Sequence, residues 1–167
     1  MCEDSVRHRP GAARAVVGAI SEAAGLMSPC PRFDSPAATA VPRYGTRVEY
    51  PPGTFAAVGS GGQQRFESDD RHAVLSIYAL ENENDGTPAS YLRKNPRQQI
   101  LRFERVTRFF FAISMERDGT VYYSRCSFSH SAGGSIHCFD LVNPQEEKRA
   151  WDPVVARMSL SLRPLER

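Results

Sequence analysis

The strongest constraint on what this chain can fold into lies in residues 107–128. Two runs rich in aromatic and β-branched residues, Thr107 to Glu116 and Thr120 to Phe128, flank Asp118-Gly119. Asp-Gly suits the left-handed backbone conformations of a two-residue hairpin turn. With that turn, Met115 faces Tyr122, Ile113 faces Ser124, Phe111 faces Cys126 and Phe109 faces Phe128. One face of the ribbon is then almost wholly apolar, and a slip of one residue would turn it to water. Such a ribbon needs a cover.

The end of the chain offers one. Trp151, Val154, Val155, Met158 and Leu162 recur at helical spacing, which makes one apolar stripe. Asn143, Pro144 and Glu146 read as a capping box ahead of this helix, and Pro164 as its stop. The helix is expected to lie over the apolar face of the hairpin. Upstream, strands are expected at 47–50, 64–68, 72–80 and 98–105, and another at 136–142. Residues 72–80 leave little room for a polar face, so that strand should be central. Phe55 should enter the core just after Pro51-Pro52-Gly53, and Thr87 or Ser90 should cap a short helix through Leu92. The pattern predicts an α+β domain: an antiparallel sheet of about five to seven strands, packed by the C-terminal helix and a second short helix.

A chain of 167 residues fits one domain plus a tail. Of nine Phe, six Tyr and one Trp, only Phe33 precedes position 41. Residues 1–40 therefore read as lying outside a domain at 41–167, for want of large apolar surface to offset the entropy of ordering them. They read either as a disordered tail or as a degraded export signal. Arg7, Arg9 and Arg14 give a basic start, Ala15 to Ile20 an apolar stretch, and Ala38-Thr39-Ala40 a small-x-small cleavage pattern, although Glu22 interrupts the apolar region. No apolar run is long enough for a membrane-spanning helix. The net charge of +2 gives no ground for a nucleic-acid partner. All but two of the 21 basic residues are arginine, which reads as a codon preference rather than a site.

Cys126 and Cys138 fall in neighbouring strands, nearly opposed across the loop centred near residue 132. A disulfide is the favoured reading and agrees with a periplasmic or secreted location. The alternative is a pair of reduced core thiols in a cytoplasmic protein. A zinc site from Cys126, Cys138, His137 and His130 is not expected, because residues 137 and 138 point to opposite faces of one strand. No metal and no cofactor is expected.

Motifs for hydrolase chemistry or phosphate loops are missing. Asp69-Asp70-Arg71-His72 reads as a solvated turn. Two binding candidates remain. Tyr123, Arg125 and His137 share the sheet face away from Phe111; left uncovered, they would form an amphipathic patch able to hold a small ligand or support catalysis. Arg93, Lys94, Arg97, Arg102, Arg105 and Arg108, interleaved with Tyr91, Phe103 and Phe109, form a basic strip against only Glu104. That strip could meet an acidic protein surface or make a weak contact with an anionic one.

The order of short motifs is also informative. Val48-Glu49-Tyr50-Pro51 with Phe55 is followed by Phe66, Ser68 and Asp70 before an apolar strand. Then come Val121-Tyr122-Tyr123-Ser124-Arg125, Leu141-Val142-Asn143-Pro144 into a helix, and a close on Ser159-Leu160-Ser161-Leu162-Arg163-Pro164. Over roughly residues 45–165 this resembles small bacterial exported proteins with a PsbP-like layout, shared with the Mog-type Ran-binding proteins. The resemblance implies an antiparallel sheet between helical layers. It also implies a non-enzymatic role in binding another protein, the partner unnamed, with no catalytic residues to carry over.

Overall fold

The computed structural model describes residues 37–41, 45–51, 53–58, 64–94, 101–129 and 134–164. Among the described residues, ten strands and two α-helices follow one another as β1 (Ala37–Val41), β2 (Thr46–Tyr50), β3 (Phe55–Val58), β4 (Gln64–Ser68), β5 (Val74–Glu81), α1 (Pro88–Arg93), β6 (Leu101–Val106), β7 (Phe110–Arg117), β8 (Thr120–Phe128), β9 (Ser135–Pro144), α2 (Lys148–Ser161) and β10 (Arg163–Pro164). The main sheet has seven antiparallel strands in the order β3-β4-β5-β9-β8-β7-β6. A second, three-stranded sheet has the order β1-β2-β10. The expected α+β architecture, with an antiparallel sheet, a C-terminal helix and a second short helix, is present.

The hairpin forms in the register that its turn dictates. Asp118 and Gly119 both have positive φ, 51° and 72°, as a two-residue turn of the mirror-image type requires. Met115 pairs with Tyr122, Ile113 with Ser124 and Phe111 with Cys126. Phe128 N–H donates to the Phe109 carbonyl at 2.8 Å, which extends the ladder past the strand end.

The cover differs from the expectation. Phe111, Ile113, Cys126, Phe128, Ile136 and Cys138 pack with Leu92 of α1, so the short helix lies over the apolar side of the hairpin. Helix α2 lies on the opposite face. Its Trp151, Val154 and Met158 pack with Val121, Phe139, Leu141, Leu75 and Ile77, and with Val48 of the small sheet. The physical reason is that β8 and β9 are buried on both faces. Val121 and Tyr123 offer a second apolar row that alternates with Cys126 and Phe128.

Caps differ as well. Thr87 caps α1: its Oγ1 accepts from Ser90 N–H while Ser90 Oγ accepts from Thr87 N–H. Asn143 does not cap α2. It is the buried penultimate residue of β9, and its Nδ2 donates to the Pro144 carbonyl at 2.7 Å. A 3-10 turn over Gln145–Glu147 intervenes before α2. Strand β1 begins ahead of the boundary expected at residue 41, and Ala38-Thr39-Ala40 lies inside it, paired with Glu49, Val48 and Arg47. The remaining readings on residues 1–36, together with Arg97 and His130, fall outside the described residues.

Candidate interaction surface

Tyr123, Arg125 and His137 do share one face of the main sheet, but they form no exposed patch. They are 7 %, 8 % and 1 % exposed, because α2 and the small sheet lie over them. Tyr123 Oη donates to Asp152 Oδ1 of α2 at 2.6 Å, and Lys148 Nζ holds the same carboxylate at 2.8 and 3.0 Å. Burial first, then this hydrogen bond to Asp152, pushes the Tyr123 phenol far above its ordinary value. His137 uses both ring nitrogens: Nδ1 lies 2.7 Å from Thr46 Oγ1 of β2 and Nε2 lies 2.8 Å from Ser135 Oγ. Burial holds its pKa below the usual imidazole value. These groups tie the layers together, and a small-ligand or catalytic role on an open face does not fit where they sit.

Arg125 differs from its two neighbours. Its Nε donates to Ser159 Oγ at 3.1 Å, and Nη1 donates to the Cys126 carbonyl at 2.9 Å. Its guanidinium carbon stands 3.7 Å from the ring centroid of Phe110. No carboxylate among the described residues lies in ion-pair range of it. Burial, then the like charge of Arg105, lowers its pKa to about 10. A buried cation without a counter-charge is costly unless hydrogen bonds and a π-face offset the loss of water.

This residue marks the inner limit of a basic and aromatic surface. Helix α2 packs across β8 and β9 and against β2 of the small sheet. The cross-strand row Leu75, Leu141, Tyr123, Ser114 runs through the core beneath the helix and emerges at Phe103 on β6, which is 53 % exposed. The next row runs Phe139, Arg125, Ala112, Arg105. Arg105 and Arg125 both approach the Phe110 ring, Arg105 at 5.6 Å. Arg108 stands over Phe109 at 4.4 Å. Arg102 pairs with Glu116 at 3.6 Å. Of the expected basic strip, Arg102, Arg105 and Arg108 thus gather at the β6–β7 end of the sheet. Arg93 closes the last turn of α1, and Lys94 is its C-cap. Sequence reasoning missed Phe110 and Arg125 as parts of this surface. The alternation Phe110, Ala112, Ser114 opposite Ser127, Arg125, Tyr123 was the available signal.

Cys126 and Cys138 are paired in register and joined by a disulfide. It crosslinks β8 and β9 on the α1 side of the sheet, the face opposite to Arg125.

The fold is of the PsbP-like α+β class. The chain is similar to the solution structure of cyanobacterial PsbP (CyanoP) from Synechocystis sp. PCC 6803, with a TM-score of 0.56 and 15 % identity, over 78 % of this chain and 92 % of that one. A crystal structure from Bacteroides thetaiotaomicron VPI-5482 aligns at a TM-score of 0.45 and 14 % identity, over 73 % of this chain and 46 % of that one. No family sequence model matches the chain, and no curated protein matches it in sequence.

Proposed function

We propose that this domain is a non-catalytic protein-interaction module that works outside the cytoplasm and docks an acidic segment of its partner on the β6–β7 end of the main sheet. The observation that carries this reading is Arg125, a guanidinium stacked on Phe110 beside Arg105 with no carboxylate in ion-pair range among the described residues. An incoming Asp or Glu side chain would supply that missing charge, and the exposed Phe103 would give it an apolar neighbour. Arg and aromatic residues are the types that dominate binding energy at protein interfaces. The disulfide supports an oxidising compartment, and the PsbP-like fold is compatible with a binding role.

A protein partner is favoured over an anionic membrane. The surface carries Glu104 and Glu116 among its arginines, and lipid recognition by charge alone calls for a denser basic cluster. The test is a photo-reactive residue at position 103, compared with one at the exposed Leu160 on α2. The expected result is a protein adduct at 103 but not at 160, rich in Asp or Glu at the point of contact and lost with Arg105→Glu. Sedimentation with phosphatidylserine vesicles, or adducts equal at both positions, would overturn the proposal.

A further inference from the structure

We infer that Asp70, His72 and Glu147 form a binding site for a divalent transition-metal ion, separate from the surface described above. The three residues come from two distant stretches of chain. Asp70 and His72 lie in the β4–β5 turn, and Glu147 is the N-cap of α2. One ligand atom from each lies within 4.8 Å of the other two.

One oxygen of each carboxylate is held by atoms other than the proposed ligand atoms. In the turn, Ser68 N–H donates to the Ala73 carbonyl and Ala73 N–H donates to Ser68 Oγ, which closes the loop. Asp70 Oδ1 then accepts from Ser68 Oγ at 2.5 Å and from His72 N–H at 3.0 Å. That turns Oδ2 toward the imidazole, 3.8 Å from His72 Nδ1. Glu147 Oε2 accepts from the indole N–H of the buried Trp151 at 3.0 Å, and Oε1 stands 3.6 Å from the same Nδ1. Fixing one oxygen of a carboxylate so that the other faces an ion is how outer groups orient metal ligands.

The distances exclude a hydrogen-bonded cluster and place both carboxylates in range of a cation, whether a protonated imidazole or a bound ion. At 3.6 and 3.8 Å both contacts are too long for hydrogen bonds from the imidazole. One ring N–H could in any case serve only one of the two acceptors. Around a tetrahedral zinc ion with bonds of about 2.0–2.2 Å, neighbouring ligand atoms are about 3.3–3.6 Å apart. The two gaps to the imidazole, 3.6 and 3.8 Å, therefore close onto an ion with shifts of a few tenths of an ångström, and the two carboxylates, within 4.8 Å of each other, have to draw together around it. The donor set of one nitrogen and two oxygens neutralises a dication, and the imidazole favours zinc or another transition metal over calcium or magnesium. His72 and Asp70 border solvent, which leaves the remaining position to water.

The protein carries its own reporter, since its single tryptophan is the residue bonded to Glu147. Zinc chloride titrated into the full, disulfide-intact chain should give saturable one-to-one binding by calorimetry and a parallel change in Trp151 emission. His72→Ala and Glu147→Gln should each weaken binding at least about tenfold, while Asp69→Asn should leave it unchanged. Circular dichroism establishes that the variants are folded. Failure of Trp151 emission to respond, zinc affinity undiminished in His72→Ala, or calcium binding as tightly as zinc would each overturn the inference.

Discussion

The guanidinium of Arg125 lies 3.7 Å from the centroid of the Phe110 ring, so the most deeply buried arginine of the basic surface rests on an aromatic face rather than on a carboxylate. With no carboxylate in range among the described residues, replacing Arg125 leaves no partner charge buried and unpaired, the event that makes the loss of one member of a buried ion pair costly. Arg125→Met is therefore expected to change unfolding free energy by no more than about 1–2 kcal/mol, measured by urea denaturation. The same substitution should abolish the adduct at position 103. A loss of stability well above this range would make Arg125 a structural brace in the first place.

The buried His137 makes stability depend on pH. Its folded pKa is depressed by burial, so the unfolded chain binds the extra proton first as the solution is acidified. The contribution of the neutral, doubly bonded imidazole is present above the unfolded value of about 6.5 and is lost as pH falls from there toward the folded pKa. The urea midpoint of the native chain should drop between pH 7.5 and pH 5. In His137→Gln, where no proton is taken up at this position, that drop should shrink. An equal drop in both proteins would refute the assignment.

The crosslink of β8 to β9 closes a short loop, with a sequence separation of 12. In the chain-entropy description such a loop contributes about 3 kcal/mol at most. The Cys126→Ser/Cys138→Ser double variant should lose up to that amount in denaturant unfolding and should become insensitive to reductant. Unfolding of the native chain that is equally insensitive would mean the bond is not formed in solution.

Gly119 isolates a backbone effect. Its φ is 72°, yet a Cβ built there meets nothing within 4 Å. Gly119→Ala should thus destabilise through conformation alone, by about 1 kcal/mol. A thermal melt showing no loss would place the turn in a different geometry.

The parts of the fold that were legible in the sequence are those governed by local rules. The turn at Asp118-Gly119 sets the register of β7 on β8, because side chains alternate with a period of two. The stripe through Trp151, Val154 and Met158 gives α2 for the same kind of reason. The opposition of Cys126 and Cys138 follows from the length of one loop. What escaped is decided by contacts between distant segments. The side of the sheet that α2 takes depends on the row Val121, Tyr123, Phe139 and Leu141, which alternates with an equally apolar row. Local signals alone do not choose between them. Asn143 has the chemistry of a cap, but the ladder with Val121 carries it on as strand. Tyr123 and Arg125 look like surface residues until Asp152 and Ser159, two turns apart on α2, supply their partners. The approach of Asp70 and Glu147 to His72 requires β9 to pair with β5, a contact between segments more than 50 residues apart.

The small sheet has a mechanical consequence. Strands β1 and β10 flank β2 on opposite edges, so Ala40 and Arg163 both pair with Arg47. Each runs antiparallel to β2, hence parallel to the other. Tension between Ala37 and Pro164 would load the two ladders in shear rather than peel them apart one rung at a time. The two-residue pairing of β10 would slip first, ahead of the five-residue pairing of β1.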